Sequence, residues 1–153
     1  MKEEIRQALE NIFSQPAQIL NVAPVGGGCI NETSVVSLSN GEKVFLKYHS
    51  DPPAGFFAGE SKGLELLGKA ENGPQIPKPL AHGKHFLILE YIEEQSAGSG
   101  FYVQFGRALA GLHRVTQHQF GLDHDNFIGK TAQPKVDCRS DGNNLIRVYA
   151  LMP

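Results

Sequence analysis

Gly26-Gly27-Gly28-Cys29-Ile30-Asn31 is a glycine-rich run, and downstream of it Val44-Phe45-Leu46-Lys47 ends in a lysine. A loop without side chains lets backbone N–H groups approach phosphate oxygens, and a nearby ammonium neutralises part of their charge. Between the two motifs, residues 32–38 and 43–48 have strand composition and meet at Asn40-Gly41. Asn-Gly is the strongest short signal for a two-residue hairpin, because both central positions take φ > 0. Such a hairpin folds Lys47 back toward the glycines. A glycine run alone is most often a plain turn; the strand, hairpin and lysine at this distance favour a phosphate site. A Walker loop would need Gly-Lys-Ser/Thr opening a helix, and a dinucleotide fingerprint a third glycine with a helix behind it. Here Asn31 replaces that glycine and a strand follows.

A lysine facing a polyphosphate needs a carboxylate to hold it. Asp51-Pro52-Pro53-Ala54-Gly55 breaks the chain, and residues 56–70 then place Phe57, Leu64 and Leu67 on one side of a helix. That helix carries Glu60 and Glu65; either could be a solvated surface charge, and Glu60 is favoured as the partner of Lys47. Ile5, Ala8, Leu9, Ile12 and Phe13 predict an amphipathic packing helix over residues 2–13, ending before Pro16. Residues 17–25 read as the strand entering the glycine loop. Residues 76–80 are extended by their prolines, and Ala81-His82 and residues 85–92 flank Gly83-Lys84 as a second hairpin. Phe86-Leu87-Ile88-Leu89 is an unbroken apolar run, as in a strand covered on both faces.

The expected core is an antiparallel sheet of residues 17–25, 32–38, 43–48 and 86–91 with the 56–70 helix across one face. Glu90, Tyr91 and Ile92 then lead into the loose Ser96-Ala97-Gly98-Ser99-Gly100, a hinge whose backbone groups could pair with an adenine edge. Phe101, Phe105, Ala108, Leu109 and Leu112 share a face of a helix reaching about Thr116, and His113-Arg114 at its end suits the helix dipole. Residues 120–129 read as a polar loop between aromatics.

The composition is that of globular material: 153 residues, 41% hydrophobic, 20% charged. Fourteen Lys+Arg against 16 Asp+Glu give no basic excess for nucleic acid or an anionic membrane. No apolar run is long enough to span a bilayer and no signal-peptide core is present, so a cytoplasmic location is expected. Cys29 and Cys138 are too few for a disulfide framework and not spaced as a zinc site. In a glycine loop near a lysine, the Cys29 thiol is a candidate for reversible oxidation, including a homodimer linked through Cys29, against the alternative of an inert loop cysteine.

The glycine loop, Val44-Phe45-Leu46-Lys47, Phe57-Ala58-Gly59-Glu60, Leu89-Glu90-Tyr91-Ile92, Leu109-Ala110-Gly111-Leu112-His113-Arg114 and Phe120-Gly121-Leu122-Asp123-His124-Asp125-Asn126-Phe127-Ile128-Gly129, in that order, resemble the fructosamine (ketosamine) kinase family. The first four elements are shared by many kinase-like phosphotransferases; Gly26 to Asn31 and Asp123 to Gly129 are more particular to this family. The resemblance runs to about Pro134. It implies an α+β fold: a protein-kinase-like N-terminal lobe, with an antiparallel sheet plus one helix, and the start of a helical C-terminal lobe. It also implies ATP with Mg²⁺ as phosphoryl donor and a glycated lysine or other ketosamine as acceptor, phosphorylated on the sugar so that the adduct falls apart. By position, Gly26, Gly27, Gly28, Cys29 and Asn31 would cover the phosphates, Lys47 would hold them, Glu60 would orient Lys47, and Glu90, Tyr91 and Ile92 would meet adenine.

The family's catalytic His-Gly-Asp segment, its following Asn and its later metal-binding Asp find no match here. No catalytic residue and no metal ligand is therefore assigned. The expected organisation is a nucleotide-binding lobe over residues 1–94, a hinge and beginning of the second lobe over 95–134, and a divergent tail over 135–153, as a frameshift or truncation would leave. The face of the 101–116 helix with Phe101, Phe105, Leu109 and Leu112 is expected to lie uncovered. The leading reading is the ATP-binding portion of a ketosamine kinase, itself inactive. The alternatives are another small-molecule kinase of the aminoglycoside or choline kinase type, and a non-catalytic nucleotide-binding remnant.

Overall fold

Residues 2–14, 18–26, 30–116, 121–129 and 131–135 are described by the computed structural model. Their elements run α1 (Lys2–Phe13), β1 (Ile19–Pro24), β2 (Glu32–Leu38), β3 (Lys43–Tyr48), α2 (Phe56–Leu67), β4 (Pro79–His82), β5 (Phe86–Glu90), α3 (Phe101–Leu112), β6 (Asn126–Ile128) and β7 (Thr131–Gln133). The first five strands form one antiparallel sheet in the order β1-β2-β3-β5-β4.

Strand alternation sorts the sheet into two faces. Val36, Leu38, Val44, Phe86 and Ile88 point one way and bury Ile5 and Leu9 of α1. Phe45, Leu87 and Leu89 point the other way and pack with Phe56, Phe57 and Leu64 of α2. Helices therefore cover both faces, which is why β5, lying between β3 and β4, reads as a continuous apolar run. At the edge, every residue of β1 is exposed.

Several boundaries differ from expectation. The turn after β2 is a three-residue connection: Leu38 N–H donates to the Glu42 carbonyl at 2.9 Å and Gly41 N–H to the Leu38 carbonyl at 3.0 Å. Only Gly41 is left-handed, with φ 87°, while the Asn40 side chain accepts from Glu42 N–H at 3.0 Å. Asn40 thus stabilises the turn with its carboxamide instead of adopting φ > 0, giving the turn-plus-bulge alternative to the two-residue hairpin. Helix α2 stops at Leu67, where Gly68 N–H turns back to the Leu64 carbonyl, and β5 stops at Glu90, leaving Tyr91 and Ile92 beyond it. The stretch read as a polar loop contains β6 and β7, an antiparallel pair pivoting near Gly129 at φ 60°.

Leu112 does not lie uncovered on α3. It is buried, and Gly111 beside it lies so close to the 71–73 turn that an added Cβ would stand 2.2 Å from the Asn72 carbonyl oxygen. Phe101 and Phe105 remain exposed, stacked with ring centroids 6.1 Å apart. Among the described residues, no helix is long and apolar enough to cross a membrane.

Candidate functional site

The alternation that buries Phe45 and Leu87 beneath α2 puts Lys47, two residues after Phe45 and opposite Leu87, on the same face. Helix α2 offers that face Phe57, Glu60 and Leu64 at helical spacing. The Lys47 ammonium and the Glu60 carboxylate meet there as an ion pair, their side chains 21% and 27% exposed. Glu65 is exposed, so the choice between the two glutamates falls on Glu60.

The pair closes one end of a cavity of about 330 Å³. Phe45, Leu64, Leu67 and Leu89 give it apolar walls, and Glu90 and Ile92 form its rim where β5 leaves the sheet. This is an apolar slot with a charged end, within the usual size of small-molecule sites, roughly 300–1,000 Å³. Tyr91 does not line it: its ring lies under the Lys43 ammonium, 5.5 Å from the centroid. Glu90 is tied twice to Lys78, the residue before β4, donating its N–H to the Lys78 carbonyl at 2.8 Å and accepting from Lys78 N–H at 3.3 Å through its carboxylate.

The base of the glycine loop is fixed by a residue that sequence reasoning did not single out. Thr33, directly opposite Lys47 in the sheet, donates its hydroxyl to the Val25 carbonyl at 2.7 Å and accepts Val25 N–H at 2.9 Å on its own carbonyl. A threonine just past the glycines was the available signal. Gly26 is exposed, and the Asn31 side-chain oxygen is buried without a hydrogen-bond partner among the described residues. Gly27, Gly28 and Cys29 lie outside the described residues, and with them the expected thiol chemistry; so does the tail from residue 136.

Asp123 and Asp125 do not line the cavity. The Asp123 carboxylate lies 2.6 Å from Nδ1 of His124, and this hydrogen bond, helped by the Lys62 ammonium, holds its pKa below the ordinary 3.8. Asp125 accepts Lys135 N–H at 2.7 Å. Among the described residues, no group of three or more His, Cys, Asp or Glu side chains is placed to hold a metal ion.

Comparison with known proteins matches the fructosamine kinase family model over residues 1–140. A probable ketoamine kinase of Synechocystis sp. is 33% identical over 138 residues, covering 86% of this chain and 46% of that protein. The chloroplastic protein-ribulosamine 3-kinase of Arabidopsis thaliana is 33% identical over 123 residues, covering 76% of this chain and 37% of that protein. The chain thus spans less than half the length of these relatives. A crystal structure from Haemophilus somnus, assigned by name to the fructosamine-3-kinases, superposes with a TM-score of 0.77 at 25% identity, over 92% of this chain and 48% of that one. That likeness matches an antiparallel sheet bearing helices, the form of a kinase-like N-terminal lobe with the first helix of the next. With the family model matching all but the last stretch of sequence, the chain belongs to the fructosamine kinase family.

Proposed function

We propose that this chain is the nucleotide-binding portion of a ketosamine kinase, holding ATP between the glycine loop and the β3–α2 cleft. The observation that carries the reading is the Lys47–Glu60 ion pair at the end of an apolar slot. An adenine ring suits the walls formed by Phe45, Leu64 and Leu89, and Lys47 is placed to meet the phosphates that lead from it. When bound, ATP supplies the phosphoryl group; Lys47 neutralises charge on it, Glu60 keeps Lys47 extended, and Thr33 holds the loop base at its distance from β3. The acceptor class follows the relatives, named as kinases of ketoamines and of protein-bound ribulosamine.

The sequence contains no His-Gly-Asp segment. Phosphoryl transfer needs a group that orients the acceptor hydroxyl and ligands that hold Mg²⁺. Glu60, the carboxylate beside Lys47, is already paired with it. We therefore assign nucleotide binding, and not transfer, to the 153 residues given. The test is a titration with a fluorescent ATP analogue, together with an ADP-release assay on ribulosyl-lysine. Binding should weaken about tenfold or more in Lys47→Ala, the loss expected for hydrogen bonds between charged groups. Unchanged affinity in that variant would refute the site, and steady ADP release by the wild-type chain would refute the division of labour.

A further inference from the structure

Helix α2 is packed by a segment outside the sheet as well as by the sheet itself. While Phe57, Glu60 and Leu64 look toward the sheet and the cleft, Gly59 meets residues 125 and 126, and Phe56, from the cluster beneath the helix, also meets Phe127. The Phe56 and Phe127 rings lie 5.4 Å apart between centroids. A Cβ at Gly59 would stand 3.1 Å from the Asp125 carbonyl oxygen and 3.4 Å from Oδ1 of Asn126, itself buried. Lys62 is near enough to Asp123 to act on its charge. Phe56 and Gly59, one turn apart on α2, thus touch neighbouring points of one segment, and Gly59 is adjacent to Glu60 in sequence.

We infer that the segment carrying Asn126 and Phe127 is a positioning element for α2: by packing against Gly59 and adding the Phe127 ring beside Phe56 it sets the rotation that keeps Glu60 on Lys47. The physical reason is packing. Helix α2 meets the sheet through a few large side chains, and a helix held on one face alone can roll about its axis. A second contact on a neighbouring face removes that freedom. Gly59 lets the Asp125 carbonyl approach closely, and Asn126 and Phe127 act on Glu60 only through the helix. This inference rests on the reading of Lys47 and Glu60 as the phosphate end of the site.

The test is limited acylation of lysines in the 153-residue chain without nucleotide, the rate at Lys47 being read by mass spectrometry against exposed Lys84. Glu60→Gln breaks the pair directly and should raise the Lys47 to Lys84 ratio about fivefold, the scale of a partly exposed ion pair. Phe127→Ala, which touches neither residue, should raise it by a similar factor while circular dichroism stays that of a folded chain. Gly59→Ala asks the Asp125 carbonyl to give by only a few tenths of an ångström, and should raise the ratio less; it keeps the test decisive if Phe127→Ala does not fold. A wild-type ratio in the folded variants, with the Glu60→Gln ratio raised, overturns the inference, because a segment that merely stabilises the fold would leave the pair intact. Protection of wild-type Lys47 by added ATP reports the nucleotide reading separately, so each idea can fail without the other.

Discussion

Two glycines on α3 should respond to the same substitution with opposite sign. Gly106 lies in the helix interior with nothing within 4 Å of an added Cβ, whereas at Gly111 that Cβ would stand 2.2 Å from the Asn72 carbonyl oxygen. Glycine in a helix interior is disfavoured relative to alanine by roughly 0.8–1.0 kcal/mol, so Gly106→Ala should stabilise the chain by up to about that amount. Gly111→Ala can gain no more than this from propensity and must also open a contact. Even close C–H···O contacts keep carbon and oxygen about 3.3–3.6 Å apart, so the helix and the 71–73 turn must separate by roughly 1 Å. The atom in the way is backbone, and it cannot rotate aside. Overpacking of this kind costs about 1–3 kcal/mol, which leaves Gly111→Ala destabilised by roughly 0–2 kcal/mol and separated from Gly106→Ala by about 1–3 kcal/mol. Urea unfolding followed by circular dichroism would read this as a difference in midpoint on the order of 1 M, with a slope of about 1–3 kcal/mol per molar. Equal midpoints, or a Gly111→Ala chain more stable than Gly106→Ala, would refute the account of how α3 docks on the turn after α2.

Leu9→Ala should cost about 2–5 kcal/mol in the same unfolding experiment, because Leu9 is fully buried between α1 and the sheet, while Leu20→Ala on the exposed edge strand should stay within about 0.5 kcal/mol of wild type. In a nucleotide titration, Glu60→Gln should weaken ATP more than adenosine, since the carboxylate acts on phosphate only through Lys47; equal losses for both ligands would place Glu60 elsewhere in the site. The hydrogen bond from His124 depresses the Asp123 pKa, so it contributes stability that is present above the unfolded value of 3.8 and lost as the pH falls through the lower folded value. Midpoints measured from pH 6 to 2 should therefore fall less steeply at the acid end in Asp123→Asn than in wild type, and parallel curves would count against that bond.

Local sequence determined the repeating units and the chemistry they could carry. Apolar spacing set α1, strand composition set β2 and β3, and two residues of alternation joined Phe45 to Lys47 on one face, so an inward-facing lysine followed from a period of two. The likeness of ordered motifs, from the glycine loop to Asp123–Gly129, carried the family. Tertiary structure decided what periodicity leaves open. Glu60 and Glu65 are both ordinary glutamates on one helix, and only the rotation of α2 against the sheet sends one to Lys47 and the other to solvent. Asn40-Gly41 has the composition of a two-residue hairpin, yet the Asn40 carboxamide satisfied Glu42 N–H instead and lengthened the turn. Residues 120–129 read as a polar loop between aromatics because Asp123 to Asn126 interrupt any apolar period. Residues 125–127 pack against Gly59 and Phe56, more than sixty residues earlier in the chain, where a helical glycine lets a backbone carbonyl come close. A gap of that kind leaves no periodic trace, since a helical glycine reads in sequence as a weakness and becomes a contact only when its partner arrives.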